Sequence, residues 1–317
     1  MGTYDIAFPN LGIYLTNVPK SFTVFGFEIA MYGIIMACAI MAGILMAAHV
    51  AKKTGQDPDL YWDAAIYLII FSFIGARIYY VAFMWDYYKD NPIQILNFRG
   101  GGIAMYGGVL GAIVTSYVYC KIKKISQWRL LDTCAYGLVL GQIIGRWGNF
   151  FNREVFGEYT DSLFAMQIPA EMVRQIDISE KIAEHMTDGT ILVHPTFLYE
   201  GVWNLGLLLV LFWFMRKKKF HGEIWLLYLG GYGIGRAIVE AIRTDQLYLP
   251  HTKIPVSLCL GIVMAVLSLL IDLYVRGRIK SGAAQAIGPE DPWVTGIPED
   301  KETATATETE TDGEKTT

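Results

Sequence analysis

Arg236 and Glu240 stand four residues apart in RAIVEAIR, residues 236–243, so a helix would stack them on one face. Their surroundings are apolar, where an unpaired charge costs several kcal/mol and a paired one can persist. A second polar cluster is GRWGNFFNREVFG, residues 145–157, which combines Arg146, the amides Asn149 and Asn152, the acid Glu154 and the glycine Gly157. Guanidinium is the group whose planar donor fork fits phosphate. Arg77, Arg146, Arg236 and nearby Arg243 outnumber Glu200 and Glu240, and this surplus predicts an anionic ligand, with a phospholipid headgroup the nearest available phosphate. Two bland readings stand beside this one. The Arg236–Glu240 pair could merely fix helix packing, and Arg77 could snorkel to headgroups.

Familiar catalytic sets are missing from the chain. It has no G-x-S-x-G elbow and no H-E-x-x-H, and its five histidines (49, 185, 194, 221, 251) are scattered, so neither a metal nor a cofactor is expected. His194, in HPTFLYE just before Glu200, reads as a turn former more than a catalyst. The glycine-rich runs 100–108 and 230–235 lack the strand–turn–helix context of a dinucleotide site. Cys38, Cys120, Cys134 and Cys259 lie in apolar stretches without a C-x-x-C and read as small buried hydrophobes.

The elements that must position these residues follow from composition. Of 317 residues, 53% are hydrophobic and 18% charged, which is too apolar for a soluble domain of this size and predicts an all-α polytopic membrane protein. Seven windows of bilayer length occur, at about 27–50, 60–84, 101–121, 130–148, 197–215, 223–243 and 254–275. Thirteen Lys and Arg gather in alternate connectors (51–53, 121–129, 216–219 and 276–280), so the positive-inside rule puts the N-terminus and segment 149–196 outside and the C-terminus in the cytoplasm. With that topology Tyr32, Arg77, Tyr106, Arg146, Glu200, Arg236 and Glu240 all lie in the outer halves of their spans, within roughly 5 to 14 Å of the boundary. Gly137, Gly141 and Gly145, and likewise Gly107 and Gly111, recur every four residues as helix-packing ridges.

No signal peptide is expected, because the first apolar run starts near residue 29 after Asp5, Lys20 and Glu28. The transmembrane body is read as residues 1–280. Within it the external segment 149–196 holds one short helix at 179–186 and is too small for an independent core. Residues 281–317 read as a disordered acidic tail. Nine acidic residues against two lysines after position 288 account for the net charge of −4, and a near-balanced body does not suit nucleic acid.

The 145–157 segment closely resembles the signature of the bacterial prolipoprotein diacylglyceryl transferases. The likeness continues through MYG at 31–33, GARIYYV at 75–81, YGGVLGA at 106–112, HPTFLYE at 194–200 and RAIVEAIR. It implies transfer of diacylglyceryl from phosphatidylglycerol to the lipobox cysteine of a preprolipoprotein at the bacterial inner membrane, releasing glycerol 1-phosphate. The nucleophile would then belong to the substrate. By matching position, Arg146 resembles the residue that binds the lipid phosphate, with Asn149, Glu154 and Gly157 completing the signature. Tyr32, Arg236 and Glu240 match positions essential in the family, and Arg77 joins the expected substrate ligands. Tyr106 replaces a histidine common in the family and proposed as a base. A phenol with a pKa near 10 accepts a proton poorly at neutrality, so Tyr106 is expected to orient substrate unless it is strongly perturbed. The alternatives are a transporter or flippase for an anionic lipid or metabolite, which would favour internal repeats with a midplane site, and a purely structural membrane subunit.

Overall fold

The computed structural model of the chain describes residues 5–97, 101–249, 252 and 254–298. It is mostly helical. Short strands β1 (Ile6–Phe8), β2 (Ile13–Leu15), β3 (Ser21–Val24) and β4 (Phe27–Ala30) precede helices α1 (Met31–Lys53), α2 (Asp59–Phe83), α3 (Trp85–Tyr88), α4 (Met105–Lys123) and α5 (Gln127–Asn152). Then come β5 (Met166–Pro169), α6 (Glu180–Glu184), β6 (Thr190–Val193), α7 (Thr196–Phe214), α8 (Glu223–Glu240), α9 (Val256–Lys280) and α10 (Pro292–Thr295).

Each of the seven apolar windows coincides with a long helix. Several begin where local chemistry permits a start: Pro58, Pro195 and Pro255 directly precede α2, α7 and α9, and proline's fixed φ and missing N–H suit a helix entrance. Two windows begin late. Residues 27–30 pair with β3 in a hairpin instead, turned by Phe25 and Gly26, both with positive φ. Gly101 and Gly102, also at positive φ, delay α4 to Met105.

Among the described residues four helices, α1, α2, α7 and α9, are long and apolar enough to cross a membrane. Their sides are covered with exposed aliphatic and aromatic residues such as Ile69, Phe71, Leu209, Leu267 and Leu270, which in water would be a prohibitive apolar surface and in a bilayer is the normal one. The chain is therefore a membrane protein. The other three long helices, α4, α5 and α8, carry Tyr106, Arg146, and Arg236 with Glu240. Polar and glycine residues that dilute their hydropathy include the residues expected to do chemistry.

The chain forms two compact units. One comprises the described residues up to Met46 together with Cys134–Ile287; the other comprises Ala47–Thr133 with the described residues from Gly288 on. In the first, α1 crosses α5 where a Cβ on Gly43 would stand 2.9 Å from the Gly137 carbonyl oxygen, and α8 crosses α9 with Gly233 as close to Gly261. In the second, α2 and α4 meet at Gly75 and Gly107. These approaches are open only to glycine.

The first unit also holds an antiparallel sheet ordered β2-β1-β5-β6. The alternation of β5 and β6 turns Met166, Ile168, Ile191 and Val193 into a core shared with Ile6, Phe8, Phe150, Phe156, Ile182 and Phe197. The expected short helix is present as α6, capped by the Ser179 side chain. The segment escapes its size limit by sharing: its sheet takes two strands from the N-terminal residues and its core takes aromatic residues from the ends of α5 and α7.

Residues 281–298 depart from the expected structureless tail. Trp293 in α10 is fully buried, the Asp291 carboxylate accepts its N–H at 2.8 Å, and Arg129 lies 3.6 Å from the same carboxylate. One buried indole is enough to order a short segment that composition alone assigns to solvent. Residues 299–317 lie outside the described residues. Cys120 is buried as expected, but Cys38 is exposed on α1.

Candidate active site

Arg146 lies in the penultimate turn of α5, Glu200 in the second turn of α7, and Arg236 and Glu240 at the end of α8. Their side chains meet. Glu200 bridges two arginines: Oε2 contacts Arg146 Nη2, and Oε1 lies 3.5 Å from Arg236 Nη1. Arg236 Nη2 is 2.7 Å from Glu240 Oε2, off the N–H axis, so this is an ion pair more than a hydrogen bond. Arg236 Nη2 also donates to Ser257 Oγ at 3.4 Å. Glu240 in turn lies 3.8 Å from Arg243, whose guanidinium grips Asp245 with two parallel hydrogen bonds of 2.9 and 2.8 Å. The result is a ladder of alternating sign, Arg146, Glu200, Arg236, Glu240, Arg243, Asp245, drawn from the ends of three helices and the turn after α8.

The expected surplus of arginine is thereby corrected. Three guanidinium groups face three carboxylates, because Asp245, two residues after Arg243, completes the balance. What remains for a ligand is unspent donors. The Glu200 and Glu240 carboxylates are 4% and 2% exposed, whereas Arg146 and Arg236 are each 17% exposed. Arg146 has five N–H groups and, among the described residues, meets only Glu200 through Nη2.

Arg77 is corrected too. It is buried in the second unit, and each of its five N–H groups donates to a backbone carbonyl: Nε to Ile95, Nη1 to Gly101 and Gly102, Nη2 to Gln94 and Asn97, at 2.7 to 3.0 Å. A guanidinium so occupied neither snorkels nor holds a phosphate. It folds the connector between α3 and α4 around itself.

The rest of the 145–157 motif builds a turn. Glu154 Oε1 accepts from the side-chain amides of both Asn149 and Asn152 at 3.2 Å, and the Glu154 N–H donates to the Asn149 carbonyl at 3.1 Å. Arg153 and Val155 have φ of 55° and 59°, and for a β-branched residue that conformation is a genuine outlier held by its surroundings. Arg153 was not singled out by its sequence position, yet its buried guanidinium donates to the Val18 carbonyl at 2.6 Å and lies 3.6 Å from Asp5, tying the N-terminal segment to the end of α5. Gly157 donates to the His194 carbonyl at 2.9 Å and bridges to Arg243. A Cβ on Gly157 would sit 2.8 Å from the Ile242 oxygen and 2.9 Å from His194 Cβ. Gly157 therefore lets the chain after α5 pack closely against the end of α8 and the segment before α7. A cavity of about 370 Å³ lies beside this turn, lined by Lys20, Asn152, Arg153, Glu154 and Arg174 among others.

Tyr32, in the first turn of α1, lays its ring against Gly148, two residues beyond Arg146. Tyr106, the second residue of α4, is 40% exposed and belongs to the second unit. His194 bonds Tyr199 through Nδ1 at 3.1 Å, and burial, aided by Lys181, depresses its affinity for a proton. Among the described residues no group of three or more His, Cys, Asp or Glu side chains is placed to hold a metal ion.

The prolipoprotein diacylglyceryl transferase family matches residues 19–274. Three relatives named phosphatidylglycerol–prolipoprotein diacylglyceryl transferase are similar along nearly their whole length. The chain is 41% identical over 266 residues to the one from Clostridioides difficile, covering 84% of this chain and 98% of the relative. To that of Finegoldia magna it is 37% identical, covering 82% and 97%; to that of Bacillus cytotoxicus, 36%, covering 81% and 91%.

Proposed function

The chain belongs to the prolipoprotein diacylglyceryl transferase family, and from that premise we propose that it moves the diacylglyceryl group of phosphatidylglycerol onto the lipobox cysteine of a preprolipoprotein, the first step of lipoprotein maturation. The sulfur forms a bond to the glycerol carbon that carries the phosphate oxygen, that carbon–oxygen bond breaks, the thiol proton is released, and glycerol 1-phosphate departs. The enzyme sits in the bacterial cytoplasmic membrane with seven spans, N-terminus outside and C-terminus inside. Residues 1–280 form the transferase body and 149–196 its external segment.

The observation that carries this reading is the Arg146–Glu200–Arg236 bridge. The chemical difficulty lies in charge that builds on the departing phosphate, and fixed donors in a partly dry site lower that barrier most. Glu200 and Glu240 hold the two guanidinium groups without consuming all their donors, so Arg146 and Arg236 bind the phosphodiester and stabilise the leaving group. Because the ladder is neutral overall, binding rests on aimed N–H groups more than on excess charge. The attacking thiol needs little activation: a few per cent is thiolate at pH 7 and a neighbouring guanidinium increases that share. Tyr32 and Tyr106 orient headgroup or thiol by hydrogen bonds, and Asn149, Glu154 and Gly157 keep the end of α5 in place.

Purified protein incubated with phosphatidylglycerol and a lipobox peptide should release glycerol phosphate and yield a peptide heavier by one diacylglyceryl group. Transport of lipid without covalent product would instead favour a flippase. Tyr106→Phe should retain more activity than Arg146→Ala; equal loss would refute the assigned roles.

A further inference from the structure

The cavity of about 370 Å³ beside the 145–157 turn has no part in the arginine ladder, and its wall carries both signs of charge: Lys20, Arg153 and Arg174 share it with Glu154, Glu171 and Asn152. Two of the cations are already spent. Arg153 is buried against the Val18 and Phe151 carbonyls and Asp5, and Arg174 holds Asp177 with two hydrogen bonds of 2.8 and 3.1 Å. Other groups keep capacity. Glu154 receives both amide hydrogen bonds on Oε1, so among the described residues its Oε2 has no hydrogen-bond partner, and neither has Asn152 Oδ1. Lys20 gives one of its three N–H groups to the Met172 carbonyl at 2.7 Å. Burial and then Arg153 weaken its hold on its proton while Glu154 strengthens it, the mark of charges that share one space.

Free acceptors beside carboxylates repel an anion, and three cations repel a metal ion or an amine. What fits is a neutral chain that carries donors and acceptors in alternation, which is a polypeptide backbone. Position supplies the polypeptide. Asn152 ends α5 six residues beyond Arg146, about 9 Å further along the axis at 1.5 Å per residue, a distance that extended chain covers in about three residues. A substrate whose cysteine sulfur reacts at the ladder, and whose chain continues outward along α5, has its third residue after the cysteine abreast of this cavity.

We propose that the cavity seats the main chain of the second to fourth residues after the lipobox cysteine, with Glu154 Oε2 and Asn152 Oδ1 accepting from backbone N–H groups and Lys20 donating to a backbone carbonyl. The proposal rests on the transferase reading. Recognition through the main chain imposes no sequence on the residues it holds.

The test compares two lipobox peptides on the full chain in mixed micelles with phosphatidylglycerol, one ending at the residue after the cysteine and one carrying further serine and alanine residues. The longer peptide should have a KM on the order of ten-fold lower, as two or three net hydrogen bonds give, with kcat unchanged. N-methylation of the second to fourth amides after the cysteine should remove most of that advantage. Met172→Trp, which fills the cavity, should bring the ratio of the two KM values close to one, and Lys20→Met should reduce it about threefold. A ratio near one in the parent, or the full ratio kept in Met172→Trp, overturns the site. An N-methylated peptide as good as its unmethylated counterpart overturns main-chain recognition. A photoreactive group on the third residue after the cysteine gives a measurement that needs neither a variant nor turnover: it should crosslink to residues 171–174, and capture confined to other segments overturns the placement. If neither peptide acquires a diacylglyceryl group, the transferase reading itself fails, while the crosslink still decides whether the cavity holds peptide.

Discussion

Replacing Glu200 by glutamine keeps the shape of the bridge and removes its charge. Oε1 of Glu200 lies 3.5 Å from Arg236 Nη1 and Oε2 contacts Arg146, with the carboxylate 4% exposed. At an effective dielectric near 20 a charge pair at that distance interacts by about 5 kcal/mol. Both guanidinium groups retain 17% exposure, and solvent screening reduces the usable part to about 3 kcal/mol per bridge, the lower end of what losing one partner of a buried pair costs. If that energy serves to aim Arg146 and Arg236 at the departing phosphate, Glu200→Gln should lower kcat on the order of 10²-fold. The same change leaves the ladder one positive charge in excess, so KM for phosphatidylglycerol should stay level or fall. The assay is steady-state glycerol phosphate release from mixed micelles at saturating lipobox peptide, with thermal unfolding run alongside. A kcat within about threefold of the parent, or a loss confined to KM, would refute Glu200 as the positioning residue.

Arg77→Ala should act on stability and not on substrate affinity. It strands five carbonyls, at 94, 95, 97, 101 and 102, for a loss of at least about 3 kcal/mol; a raised KM with an unchanged Tm would restore Arg77 as a lipid ligand. His194 gives a pH signature. Because burial and Lys181 lower its folded pKa below the ordinary value near 6.5, the unfolded chain binds more protons between the two values. The contribution is therefore complete above about pH 6.5 and is lost as pH falls through the folded value. Tm measured from pH 7.5 to 5 should decline less in His194→Asn, and an identical decline would contradict the assignment. Trp293→Ala should destabilise the second unit by about 3–5 kcal/mol, as removal of a fully buried indole does, whereas truncation after residue 298 should leave both Tm and turnover unchanged. A truncated chain that unfolds early would show that the acidic tail does more than follow α10.

The parts legible in one dimension are those that depend on near neighbours. Seven apolar windows are found as seven helices because bilayer length and helical periodicity are local properties, and the i, i+4 spacing of Arg236 and Glu240 marks an ion pair on one face. Counting charges along the chain misleads where a charge is answered from elsewhere. Arg77 is answered by carbonyls up to 25 residues away, groups that every sequence possesses and none advertises. Arg243 is answered by Asp245 just beyond the apolar window, where a search for charges inside spans stops looking. Three-residue strands such as β1 are too short to alternate visibly, and the left-handed turn at Arg153 and Val155 carries no glycine to signal it. The same lesson bears on chemistry. A surplus of arginine would attract any anion, including the abundant ones in water and at the membrane surface, whereas a neutral ladder with a few unspent N–H groups selects by geometry. That distinction matters for an enzyme bathed in its own lipid substrate. If the ladder is the phosphate site, the substrate arrives without long-range attraction and turnover depends on holding two guanidinium planes still, the task that Glu200 and Glu240, nearly excluded from water, are placed to perform.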